Sequence, residues 1–178
     1  VSRPASRRIA YHEAGHAVMS VLERLPFRHV TIIPNEDHVG MVEPSDPPKD
    51  FRPELETNIR TRLRVEAMIR VRLAGEVAGG IFAGRRSWRL PVTSSSPTDF
   101  SLAMDLATCL VEVDDTLSAY LHLLYLQTRD KLRIRWNWIR VEAVAEALLR
   151  ERNLSSRKVR KIMQDTLQAA LKRAREER

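Results

Sequence analysis

Apolar residues recur at Ala10, Ala14, Ala17, Val18, Val21 and Leu25, in steps of three and four that predict a first helix with one buried face. Ser6 stands where an N-cap would, and Pro26 sets the latest point at which the helix can end. The pattern then changes. "HVTII" and "VGMVE" are short β-branched runs on either side of the turn-rich "PNEDH", which predicts a small hairpin. After the proline-rich "EPSDPPKDFRP", a helical pattern runs from Glu54 to about Gly84, with Leu55, Ile59 and Leu63 at four-residue intervals and a glycine-rich end. A second loop, "GRRSWRLPVTSSSP", is long enough to suggest a functional segment. Further helices are predicted from Pro97 to Val113, Thr116 to about Arg133, Trp136 to Arg152, and Ser156 into the tail. No internal repeat is present. The expected fold is mostly α, with a small β-hairpin or short sheet near the N-terminus and a helical C-terminal half.

Composition narrows the setting. At 178 residues and 43% hydrophobic, the chain suits one domain spanning residues 1–178, with a normal core. The single cysteine, Cys109, excludes an internal disulfide and any cysteine-rich zinc module, so a reducing, cytoplasmic setting is expected. No run approaches the roughly 18 apolar residues of a spanning helix, and no signal-peptide pattern opens the sequence. The start at Val1 is what a processed form or an excised piece would show. Much of the net charge of +7 sits between Ser155 and Arg178, where eight basic residues face three acidic ones. No base-reading or aromatic-rich pattern accompanies them, so the tail reads as a solvated helix face and nucleic acid is not the expected partner.

The chemistry lies in "AYHEAGHAV". His12 and His16 are four apart, so on a helix both imidazoles face the same way and can reach one ion at about 2.0–2.1 Å. Glu13 points aside from the pair but stays close enough to act as a base towards water at that ion. Gly15 lies between the ligands, where glycine costs about 1 kcal/mol relative to alanine, so some other group is expected to approach that backbone closely. A third ligand is needed. The extended motif with a third histidine fails, because Leu22 and Met19 occupy its positions. Glu66, Glu76 and Asp99 are the candidates. Asp99 has a rival role, since "SPTD" places serine at N-cap, proline at N1 and the acid at N3 of a helix.

Other features carry less. Gly79, Gly84, Arg85 and Arg86 fall near a phosphate-loop spacing, but Arg86 cannot supply the magnesium-binding hydroxyl, so ATP binding is not expected of these residues. The strand around Gly40 to Val42 is a candidate rest for an extended peptide. His38 is the first candidate for stabilising an oxyanion. His29 and His122 read as ordinary helix-flank or helix-face residues. Trp88 is a candidate lining of a specificity pocket, whereas Trp136 and Trp138 read as packing.

"RRIAYHEAGHAV" resembles the start of the peptidase domain of FtsH, the AAA-type ATP-dependent zinc protease. "VTIIP" resembles the strand that follows there, "LAGEVAGGIFAG" its small-residue helix, and "TDFSLAMDLATCLV" its "N-D-L-x-x-A-T" helix. The likeness covers most of Arg7 to Val111, with residues 112–178 a divergent helical part. The resemblance implies a zincin-like helix, Zn²⁺ held by His12, His16 and Asp99, and Glu13 as catalytic base. It implies a metalloendopeptidase acting on polypeptide substrates, in company with a homo-oligomer or an ATPase partner. With no motor in these residues, cleavage is expected of unfolded or extended segments. Gly79 and Gly80 depart from the family's "A-A-E-E", and Phe100 follows the aspartate. The alternative is a catalytically inactive relative kept as an interaction module; the retained Glu13 argues against it.

Overall fold

The computed structural model describes residues 3–34, 39–55, 58–90, 97–112 and 115–176. The chain runs α1 (Arg3–Leu22), β1 (Phe27–Thr31), β2 (Met41–Pro44), α2 (Ile59–Phe82), α3 (Pro97–Thr108), α4 (Asp115–Arg133), α5 (Arg135–Glu151), β3 (Asn153–Ser155) and α6 (Ser156–Glu176). It is a mostly α fold with a short antiparallel sheet, as the pattern predicts. Among the described residues no helix is long and apolar enough to cross a membrane.

The first helix lies at the centre. Ala10, Ala14, Ala17, Val18 and Met19 are fully buried, and Glu13, His16 and Ser20 are buried with them. Packing on every side explains why the apolar period marked only part of what α1 buries. The small residues let α2 come close. A Cβ on Gly15 would lie 2.5 Å from both the Ala74 carbonyl oxygen and the Ala78 Cβ, so glycine is required where α1 and α2 cross. Ser6 is not a cap: α1 begins at Arg3, a turn earlier, and Ser6 lies inside it.

The second helix starts at Asn58, whose side chain accepts a hydrogen bond from the Thr61 amide at 3.0 Å, and not at Glu54. Its buried face is Thr61, Val65, Ile69, Leu73 and Val77 with Ala74 and Ala78. The stripe Leu55, Ile59 and Leu63, which helped to predict the helix, faces solvent. Gly84, at φ +68°, takes the left-handed conformation that ends α2.

The sheet has the order β2–β1–β3, with β1 between two antiparallel neighbours. Val30 pairs with Val42 on one side and Leu154 on the other. Strand β3 has no counterpart in the sequence reading: "NLS" is too short to carry an alternation. Two hydrogen bonds to the Arg152 carbonyl fix it, from the Ile32 amide at 2.8 Å and the Thr31 hydroxyl at 3.2 Å. Strand β2 is left as an edge, and the residue before it, Gly40, lies against Ile9 and Glu13 of α1.

Candidate metal centre

Helix α1 presents His12 and His16 on one face, one turn apart. Helix α2 packs beneath them through Gly75, where a Cβ would lie 2.3 Å from His16 Nε2 and 2.5 Å from His12 Nε2. One turn earlier on α2, the Val71 carbonyl accepts a hydrogen bond from His16 Nδ1 at 2.7 Å. A carbonyl can only accept, so Nδ1 carries a proton and Nε2 is the ring atom directed into the site, where an ion would displace any proton it holds.

Asp99, in the first turn of α3, completes the cluster. Its Oδ2 lies 3.4 Å from His12 Nε2 and 3.2 Å from His16 Nε2, and the two imidazole nitrogens are 3.1 Å apart. These spacings test whether an ion fits. Donors bound at about 2.0–2.1 Å to a tetrahedral zinc stand about 3.3–3.4 Å from one another, so three such atoms span one face of that tetrahedron. An ion held on that face would keep its fourth position for water. Two imidazoles and a carboxylate suit zinc better than magnesium or calcium, which prefer all-oxygen sites.

The electrostatics are those of a tight polar cluster. Burial opposes charge on the His16 ring, but the Asp99 carboxylate more than offsets it, with smaller help from Glu13 and the Val71 carbonyl, raising its pKa to about 9. Burial likewise opposes charge on Asp99, and His16 and His12 together outweigh it, holding the carboxyl far below the usual carboxylate range. The position of Asp99 in the first turn of α3 favours its charge in the same direction.

Glu13 is buried at the edge of this cluster, below the backbone that leads into β2. A Cβ on Gly40 would lie 2.8 Å from Glu13 Oε1 and 3.0 Å from Ile9 Cγ2. The start of the edge strand therefore passes directly over the carboxylate.

The other candidates lie elsewhere. Glu66 accepts the Tyr120 hydroxyl at 2.6 Å and pairs with Arg62 and Arg70, while Glu76 pairs with Arg85. Both are anchored away from the imidazoles by cations of their own. Trp88 packs on Tyr125 and lies within 6 Å of the guanidinium groups of Arg85 and Arg129. Gly80 permits that packing, because a Cβ there would lie 3.2 Å from the Trp88 ring. Trp138 stacks on Tyr11, and Trp136 lies under Arg135. His29 pairs with Glu43, and His122 contacts the Trp88 carbonyl. His38 and Ser96, the expected oxyanion group and N-cap, lie outside the described residues.

Three contributors escaped the sequence reading: Gly75, the Val71 carbonyl and Arg72, whose Nη1 lies 3.5 Å from Asp99 Oδ1. The run of small residues in "LAGEVAGG" was the one signal for Gly75. A backbone acceptor leaves no trace in a sequence.

The family model for peptidase family M41 matches residues 1–177. The chain belongs to that family. This M41 chain is 33% identical over 113 residues to the ATP-dependent zinc metalloprotease FtsH of Rickettsia felis, an alignment covering 62% of the chain and 16% of that protein. It is 32% identical over 116 residues to the chloroplastic ATP-dependent zinc metalloprotease FTSH 1 of Oryza sativa subsp. japonica, covering 63% and 16%. It is 32% identical over 111 residues to the ATP-dependent zinc metalloprotease YME1 homolog of Caenorhabditis elegans, covering 61% and 14%. The M41 chain thus spans about a sixth of the length of these relatives.

Proposed function

We propose that the chain is a zinc-dependent endopeptidase domain that hydrolyses extended or unfolded polypeptides. His12, His16 and Asp99 would hold the ion, which supplies Lewis acidity for a peptide carbonyl and a nucleophilic water near neutral pH. The remaining work falls to the chain's own groups. Glu13 accepts the proton of the attacking water and passes it to the leaving amine. Burial beneath Gly40 limits its access to bulk solvent. The His16–Val71 hydrogen bond keeps one imidazole in the donor tautomer throughout.

Strand β2, at the sheet edge, offers backbone groups to an extended peptide, and Gly40 carries that edge across Glu13. Beside it lies a small pocket whose lining includes Ile9, Ile32, Val39 and Leu149 together with the polar Ser6 and Arg152. Ile9 is one helical turn before Glu13, so a substrate held on β2 would lay a side chain into this pocket. Folded substrates do not present such a strand. A partner that unfolds them, as the relatives' ATP-dependent names suggest, or a ring of copies would extend the range.

The observation that carries the reading is the convergence of three donor atoms, 3.1–3.4 Å apart, beside a buried carboxylate. The test is Glu13→Gln, assayed for zinc content and for cleavage of an unfolded polypeptide. Wild type should cleave, and the variant should keep its zinc while losing about 10²–10⁴-fold in rate. A zinc-loaded wild-type chain with no cleavage of any unfolded substrate would favour an inactive interaction module instead.

A further inference from the structure

The two oxygens of Asp99 face different partners. Oδ2 meets both imidazole nitrogens, at 3.4 and 3.2 Å, while Oδ1 faces the Arg72 guanidinium, whose Nη1 is 3.5 Å away. Arg72 follows Val71, the residue that orients His16, and precedes Gly75 by three positions. One stretch of α2 therefore touches all three proposed ligands: by a carbonyl, by a guanidinium and by the absence of a side chain.

A carboxylate can bind an ion through one oxygen or both. Binding through both uses a second coordination position, the one the proposed reaction needs for solvent. A cation on one oxygen disfavours that mode, because the oxygen would have to serve two positive centres at once. The same cation repels the metal, so it works against affinity.

We propose that Arg72 is a positioning residue that confines Asp99 to one-oxygen ligation, keeping a coordination position open at the expense of metal affinity. The inference rests on the ligand assignment above. Outer-shell partners, including the groups hydrogen-bonded to a ligating carboxylate, usually tighten a site. Arg72 weakens its ligand and loosens the site.

The test substitutes cobalt(II), whose visible absorption is strong when four-coordinate and several-fold weaker at higher coordination, in the 178-residue wild-type, Arg72→Leu and Arg72→Lys chains. Zinc affinity is measured alongside by competition with a chelating dye. Arg72 is one-third exposed, so its repulsion acts through a largely water-like medium. Arg72→Leu should bind zinc about tenfold more tightly and show weakened cobalt bands. Arg72→Lys, which keeps a cation near Oδ1, should return both towards wild type. Identical cobalt spectra for wild type and Arg72→Leu would overturn the inference while leaving the ligand set intact. A wild-type chain that takes up neither metal would overturn the ligand assignment, and this inference with it.

Discussion

Gly75 lies so close beneath His16 that a methyl group on its Cα would stand 2.3 Å from the ring Nε2, and 2.5 Å from that of His12. No rotation of either ring keeps both nitrogens in place around such a methyl. Gly75→Ala should therefore lower zinc affinity by at least about tenfold, while the fold loses about 1–3 kcal/mol to overpacking. Zinc titration and thermal denaturation of the same sample measure the two effects. Unchanged zinc affinity in a folded variant would show that the rings do not need this floor.

Gly15 sits in the same helix as the histidines but serves a different contact. Alanine there gains about 1 kcal/mol of helix propensity, yet its Cβ would stand 2.5 Å from the Ala74 carbonyl oxygen. That neighbour is backbone and cannot swing aside. Gly15→Ala should lower stability by about 1–3 kcal/mol net in urea denaturation. A stabilised variant would mean that α1 and α2 separate without penalty.

Glu23, half-buried just after α1, accepts hydrogen bonds from Arg70 at 2.8 and 3.2 Å and from Lys131 at 3.0 Å, tying the end of α1 to α2 and α4. Burial raises its pKa, but the two cations outweigh burial and bring it below the ordinary value of 4.5. A depressed carboxyl contributes stability that is full above its unfolded pKa and is lost as pH falls through its folded one. Glu23→Gln should cost about 2 kcal/mol at neutral pH, and the gap between variant and wild type should narrow once the pH drops below about 4.5. Urea denaturation across that range checks the sign; a gap that widens in acid would contradict it.

Leu149, on α5, lines the pocket that also takes in Ile9 of α1. Leu149→Trp should fill it and lower cleavage of peptides with a bulky apolar residue more than of those with alanine, at unchanged zinc content. A library of unfolded peptides read by mass spectrometry would show the shift. Equal losses for all peptides would place the pocket outside the substrate path.

The helices were legible because their apolar residues return every three or four positions, and the β1–β2 hairpin because β-branched runs flank a turn. Strand β3 was not, since one apolar residue, Leu154, carries its pairing with Val30. The exposed stripe of Leu55, Ile59 and Leu63 shows the opposite error, a regular apolar spacing that faces solvent. At the centre, the pair His12 and His16 could be read from spacing alone. Asp99 could not, because it is 83 residues away and doubles as a helix-start acid; only the family resemblance singled it out from Glu66 and Glu76. Arg72 carries no motif, and its place opposite Asp99 Oδ1 depends on how α2 and α3 meet.

X-ray absorption at the zinc edge, recorded on the zinc-loaded chain and on Asp99→Ala, tests the central claim most directly. The expected wild-type spectrum is one ion with two imidazoles and light oxygen donors at about 2.0–2.1 Å, and the Asp99→Ala sample should lose an oxygen donor or the ion itself. A wild-type ion without two imidazoles, or an Asp99→Ala spectrum and zinc content identical to wild type, would contradict it.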